Sequence, residues 1–235
     1  MTDRGLNLTI SQTQESKEAF CASIAGAKGG EMCLPKREDE GWVGTAFRRI
    51  GYCFTGSYCT LERSFKAMER LIALGASITP IMSENVYFTD TRFARAEEFS
   101  RRVESLCGRS IIHTVTEAER LGPAEPQDLL IVAPCTGNTM AKVANGITDT
   151  AATMAIKAHL RQDRPLLIGL STNDALSQNL SNLGRLLCRR SVYLLPMKQD
   201  SPIGKPHSLV AEFEMMEEAI YALSRGQQLR PLFLT

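Results

Sequence analysis

A chain of 235 residues, 43% of them hydrophobic, can bury a substantial core, as one large α/β domain or as two small ones. Lys and Arg number 27 against 26 Asp and Glu, a net charge of +1 with no long basic run, which argues against a nucleic-acid or anionic-membrane surface. The seven cysteines, at 21, 33, 53, 59, 107, 135 and 188, form no CxxC pair and lack a nearby histidine to complete a zinc pattern, so reduced thiols in a cytoplasmic protein are expected and a metal site is not.

Residues 1–45 mix Ser, Thr, Gln, Glu, Lys and Gly without a convincing period and read as a poorly ordered tail, with a partner-binding helix around Glu15 to Ile24 as the alternative. The N-terminus lacks the apolar core of a signal peptide, and no apolar run reaches the roughly 20 residues that span a bilayer. Residues 46–235 read as one domain. Ile50 to Phe54 is a β-prone run, followed by the small-residue turn Thr55-Gly56-Ser57 and a helix from Leu61 to Leu74. Gly75 stops that helix, and Ala76 to Met82 forms the next strand, ending in Ser83. Arg92 to Cys107 places Phe93, Ala96, Phe99, Val103 and Leu106 on one helical face, with Gly108 as its stop, and Ser110 to Thr114 reads as a short strand.

Leu129 to Ala133 is an unbroken apolar run, as in a strand covered on both faces, and Met140 to Ala144 are good helix formers. Between them lies Pro134-Cys-Thr-Gly-Asn-Thr139. Its small side chains, hydroxyls and a cap at Thr136 or Asn138 gather donors at a helix N-terminus, where the dipole favours an anion. An ordinary capped strand-to-helix turn is the competing reading. Gly146 ends this helix, and Thr148 or Asp149 caps another reaching about Leu160. Pro165 to Leu170 is a strand that leads into Ser171-Thr-Asn-Asp174 and a helix from Ala175 to Leu187. Ser191 to Leu195 is the last strand and Ser208 to Leu223 the last long helix. Strands that alternate with helices predict a doubly wound, mostly parallel sheet with helices on both faces, a Rossmann-like α/β fold.

In such a sheet ligands bind beyond the carboxyl ends of the strands. Thr55-Gly-Ser57, Ser83, Thr136-Gly-Asn-Thr139 and Ser171-Thr-Asn-Asp174 occupy four such ends, a pocket of hydroxyls and amides suited to a phosphorylated flat ligand. Neither GxGxxG, GxxxxGK[ST] nor GxSxG is present.

Pro134-Cys-Thr-Gly-Asn-Thr139, continued by Ala141-Lys-Val-Ala-Asn-Gly146, resembles the Pro-Ala-Ser-Ala-Asn-Thr block of the flavoprotein family that includes FMN-dependent cysteine decarboxylases. A closer resemblance is to the family of dipicolinate synthase B subunits. It is carried by Ile50-Gly51, Thr55-Gly-Ser57, Cys59-Thr60, Thr89-Asp-Thr-Arg-Phe93, Leu121-Gly-Pro123, Ala133-Pro134, Ser171 to Leu176, Gln199-Asp200 and Lys205-Pro206. It implies a protein that helps oxidise dihydrodipicolinate to dipicolinate during sporulation, working with the dehydrogenase-like A subunit of that synthase, which brings NADP.

The same resemblance makes FMN the candidate cofactor, held by Thr55, Gly56, Ser57, Ser83, Pro134, Thr136, Gly137, Asn138 and Thr139, and implies a homo-oligomer. Arg92, with a planar fork matched to carboxylate, and Asn173 are the candidate substrate-binding residues. Asn173 falls where the decarboxylases carry the Asn of a Pro-x-Met-Asn motif, but Ser171-Thr172 and Leu176-Ser177 depart from that motif. Lys205 is a weaker carboxylate ligand. Of the three histidines, His113 lies nearest to the decarboxylases' catalytic one, and no catalytic residue is assigned. Cys135 lacks a neighbouring base and reads as a packed thiol. The alternatives are an FMN-dependent decarboxylase of a cysteine-bearing substrate and a non-catalytic protein that activates the dehydrogenase-like partner.

Overall fold

The structure is a computed structural model and describes residues 46–235; the expected N-terminal tail lies outside the described residues. Four parallel strands form the centre: β1 (Arg49–Phe54), β2 (Ser77–Met82), β3 (Leu129–Cys135) and β4 (Leu166–Thr172). β5 (Val192–Leu194) pairs parallel with the first half of β4, and β7 (Leu209–Ala211) pairs antiparallel with its end. β6 (Met197–Lys198) pairs antiparallel with β7, so the spatial order is β2-β1-β3-β4-β7-β6, a mixed and mostly parallel sheet.

The helices are α1 (Leu61–Ala73), α2 (Glu84–Phe88), α3 (Ala96–Cys107), α4 (Val115–Glu119), α5 (Gly137–Asn145), α6 (Ala151–Leu160), α7 (Leu180–Leu187) and α8 (Met216–Ser224). Side chains of β3 alternate between two apolar layers. Leu129, Ile131 and Ala133 join Phe65, Met68, Phe99, Met216 and Ile220 from α1, α3 and α8. Leu130, Val132 and Cys135 join Met140, Val143, Ile156, Leu183 and Leu186 from α5, α6 and α7. Both faces of the sheet are therefore covered, which is why β3 is an unbroken apolar run with all seven residues buried.

From β1 the chain winds to β2 on one side; from β3 it winds to β4 and β5 on the other. The direction reverses between β1 and β3, and the crevice beyond a reversal is where open α/β sheets take ligands. That reversal puts the Thr55 turn beside the Pro134 turn.

Local chemistry displaces several expected boundaries. The expected strand Ser110 to Thr114 is reduced to a single bridge, Ile81 to Ile112, because Thr114 caps α4 in a capping box with Glu117. The helix expected from Arg92 starts at Ala96: Asp90 accepts the Ala96 amide at 2.8 Å, and the Thr91 hydroxyl accepts those of Phe93 and Ala94. Thr150, not Thr148 or Asp149, caps α6, again with a capping box, to Thr153. The segment expected as helix from Ser208 opens instead as β7, since Leu209 and Val210 pair with Thr172 and Ser171. The helices at Glu84–Phe88 and Val115–Glu119 are too short for a period to reveal.

His159 on α6 is buried, and its Nε2 lies 2.8 Å from the Pro165 carbonyl, which can only accept, so Nε2 carries the proton. Burial pulls the imidazole pKa down from 6.5 to about 4. The unfolded chain then binds the extra proton first as pH falls, so stability is full above 6.5 and is lost progressively down to about 4. His159→Gln, which keeps a donor for Pro165, is expected to flatten that slope. Urea midpoints at pH 7 and pH 5 check it, and an equal loss in both proteins would assign the slope elsewhere.

Candidate functional site

The ends of β1 and β3 are laced together by one hydroxyl. Thr55 is 1% exposed. Its Oγ1 donates to the Pro134 carbonyl at 2.8 Å and accepts the Thr136 amide at 2.9 Å, while its own amide reaches the same carbonyl at 3.2 Å. Pro134 brings no N–H of its own, and the β3–β4 register shifts between Val132 and Cys135, where the Ala133–Pro134 peptide is cis. From the side of α1, Ser64 donates to the Ala133 carbonyl at 2.5 Å and meets the buried Tyr52 hydroxyl at 2.9 Å.

Thr136 then caps α5. Its Oγ1 accepts the Thr139 amide at 3.1 Å and donates to Thr139 Oγ1 at 3.0 Å. The Gly137 and Asn138 amides have no acceptor among the described residues, and they lie at the positive end of the α5 dipole. Asn138 is exposed, with its carboxamide unpartnered among the described residues.

The β4 turn packs against this cap. Ser57 and Ser171 share a hydrogen bond at 2.7 Å, and Thr60 Oγ1 approaches both hydroxyls at 3.2 Å. Asp174 accepts from Thr172 Oγ1 at 2.5 Å and from Asn179 Nδ2 at 2.7 Å, and Asn182 in turn donates to Asn179 at 2.8 Å. A methyl group on Gly137 would lie within 2.7 Å of side-chain atoms of Asp174, Thr172 and Asn179, so glycine is what permits the approach. Ser83 caps α2 and donates its amide to the Phe54 carbonyl at 3.0 Å; its hydroxyl is buried with no partner among the described residues.

The structure therefore brings Thr55, Ser57, Pro134, Thr136, Gly137 and Thr139 into one bonded cluster, with Gly56 in the same turn and Ser83 attached through β1. It leaves two residues apart. Asn173 is exposed, its side chain unbonded among the described residues. Arg92 lies in the loop between α2 and α3, stacked 4.8 Å over its neighbour Phe93, without an ion pair among the described residues. His113 stacks on Tyr87 at 4.0 Å and lies 3.7 Å from Glu117. Burial pushes the Cys135 thiol up to about 12, so it stays protonated and packed at neutral pH.

Sequence reading missed the Asp174–Asn179–Asn182 chain, because a helix drawn through Ala175 hides a side-chain bond back to the turn. In the structure 175–179 is a turn, with the Asp174 carbonyl accepting the Ser177 and Asn179 amides. It also missed Asp200, held below the usual carboxylate range first by Lys205 at 2.8 Å and then by Ser208. That ion pair stands at the edge of the site: the adjacent His207 carbonyl accepts the Leu176 amide at 2.9 Å.

The family model described as Flavoprotein matches residues 45–207, a span that contains all four turns. The chain belongs to the flavoprotein family. Among the family's curated members, it is 41% identical to the B subunit of dipicolinate synthase from Bacillus subtilis (strain 168) over 187 residues, covering 80% of this chain and 94% of that one. The crystal structure of the corresponding B subunit from Bacillus halodurans C superposes with a TM-score of 0.73 at 40% identity, covering 80% and 96% of the two chains. A more distant flavoprotein-like fold is DmrB of Burkholderia xenovorans, described as a cubic protein cage for redox transfer and solved in complex with FMN. It matches at 18% identity and TM-score 0.54 over 74% and 93% of the chains.

The donor set fits a flavin. A buried Ser83 hydroxyl, two amides at a helix N-terminus and the Asn138 carboxamide, all unpartnered among the described residues, are open to hydrogen bonds of the kinds that a neutral ring edge and a phosphate make. Among the described residues no group of three His, Cys, Asp or Glu is placed to hold a metal ion, and no helix is long and apolar enough to cross a membrane.

Proposed function

We propose that this chain is the B subunit of a dipicolinate synthase, contributing to the oxidation of dihydrodipicolinate to dipicolinate in sporulating cells together with a dehydrogenase-like A subunit. The observation that carries this reading is the 41% identity running along 94% of the Bacillus subtilis protein. The reaction removes one hydride and one proton from a dihydropyridine ring. Aromatisation supplies driving force, so what the protein must contribute is orientation and exclusion of water. In this reading Asn173 and Arg92 bind the two carboxylates, and NADP on the dehydrogenase-like partner accepts the hydride. FMN, where bound, supplies a two-electron acceptor in this chain. Thr55, Gly56, Ser57, Ser83, Pro134 and the Thr136–Thr139 turn would hold it, the open α5 amides serving as donors for an anion.

The free thiols of Cys53, Cys59, Cys107, Cys135 and Cys188 support a reducing, cytoplasmic setting. Exposed Phe88, Phe93 and Leu180 support a homo-oligomer; a strictly monomeric mass by light scattering would defeat that part.

The decisive experiment mixes this chain with the dehydrogenase-like partner, dihydrodipicolinate and NADP, and follows dipicolinate by absorbance. Dipicolinate formation well above that of the partner on its own is expected. Asn173→Ala is expected to weaken dicarboxylate binding about tenfold, one hydrogen bond to a charged group, at unchanged thermal stability. No stimulation of the partner by this chain would overturn the reading. Stimulation with no binding of dicarboxylate to this chain would favour an activating protein without a catalytic share.

A further inference from the structure

A second cavity lies at the far end of α5, about 13 Å along the helix from the Thr136 cap. It has a volume near 370 Å³, at the lower end of the range in which small organic ligands are held. Its floor is apolar: Val143 from α5, with Ile156 and Leu160 from α6. Ile147, 47% exposed, stands at the mouth.

Three cations line the same cavity: Lys157 on α6, Arg161 one turn further at its C-cap, and Arg189 just beyond α7. None has an ion pair among the described residues. Asp163, two residues after Arg161, is exposed and makes no ion pair among the described residues, and Asp149 is held by Lys142 at 2.8 Å through both oxygens. The Arg161 guanidinium packs against Gly122, in the loop before β3, which restrains its fork. Two threonines also line the cavity: Thr153 is engaged in the capping box with Thr150, and Thr148 brings one hydroxyl without a partner among the described residues. The cavity thus offers an apolar floor and positive charge, with the Thr148 hydroxyl as its one open neutral hydrogen-bonding group.

We propose that this cavity is a second ligand site, taking a compact carboxylate with an apolar body, such as a small aromatic or branched-chain acid. Arg161 and Arg189 hold the carboxylate and Val143, Ile156 and Leu160 take the body. An aromatic acid or a branched acid buries surface that acetate lacks, and the fork of arginine matches a carboxylate in two places. The competing explanation is that cations simply accumulate at the C-terminal ends of α6 and α7, where the helix dipoles favour them. That explanation predicts no preference for an apolar body. The site is independent of the proposed function, because it shares no residue with the four turns.

The test is calorimetric titration of the full chain with benzoate, isovalerate and acetate. Benzoate or isovalerate should bind one per chain, with acetate at least about tenfold weaker. Arg161→Gln with Arg189→Gln should weaken benzoate about tenfold or more, the loss expected for a charge-assisted contact. Thr148→Trp, which fills the mouth, should abolish it. Both variants should leave dicarboxylate binding at the Asn173 site unchanged. Absence of binding at millimolar benzoate, equal binding of acetate and benzoate, or benzoate binding insensitive to both variants would each overturn the proposal. Dipicolinate synthesis failing while these titrations succeed would count against the proposed function alone.

Discussion

Gly137→Ala is expected to destabilise the protein by about 2–3 kcal/mol and to lower turnover in the reconstituted complex by about a hundredfold. The new methyl would sit 2.6 Å from Asp174 Oδ1, 2.6 Å from Thr172 Oγ1 and 2.7 Å from Asn179 Nδ2. None of the three is the loose end of a long side chain. Each is held by another: Thr172 and Asn179 donate to opposite oxygens of Asp174, and Asn182 donates to Asn179. The clash is relieved only by breaking that chain or by shifting the first turn of α5, and a shift of α5 carries Thr136 and Asn138 with it. The cycle with Asp174→Ala tests the cause. Asp174→Ala alone should cost about 1–3 kcal/mol, because it leaves Thr172 and Asn179 without an acceptor. In the double variant those two side chains are released to turn away from the methyl, so the loss should be well below the sum. Additive losses in urea titrations would place the strain of Gly137→Ala elsewhere than at Asp174.

The central strands were legible because each is an apolar run buried on both faces, and the turns after them because small polar residues punctuate those runs. Thr55, Ser57, Thr136 and Gly137 could be assigned to one edge because strands that alternate with helices run parallel, with their carboxyl ends together. What sequence could not supply is which partner each hydroxyl takes. Thr136 is both the cap of α5 and the group whose amide Thr55 accepts, so capping and strand lacing coincide in one residue. Val210, Phe213, Met216 and Ile220 follow a helical period, yet Leu209 and Val210 form a strand because the end of β4 offers unpaired backbone there. Tertiary pairing overrode a local pattern. Arg92 was singled out for its fork, a property of the residue type; its place over Phe93 depends on the Asp90 and Thr91 bonds that delay α3.

Thr55→Val is expected to cost about 2 kcal/mol, although it preserves shape and adds no strain. The hydroxyl serves as donor to Pro134 and acceptor for Thr136 at once, so its removal leaves the Thr136 amide unpaired while the Pro134 carbonyl keeps only the 3.2 Å bond from the Thr55 amide. The cost should exceed that of Thr136→Ala, about 1 kcal/mol for a lost cap, because the Thr55 hydroxyl is almost fully buried and joins two strands at the point where the sheet reverses. Ligand affinity should fall with it: once Thr136 is no longer tied to β1, the two open α5 amides lose their fixed relation to Gly56 and Ser57. Thr55→Ser, which keeps the oxygen and removes only a methyl, should recover most of both. The checks are urea midpoints at unchanged slope and dicarboxylate titration of the same preparations. If Thr55→Val matched the wild type in both, the backbone ladder between β1 and β3 would suffice to hold the switch point, and the Thr55 hydroxyl would have no part in shaping the site.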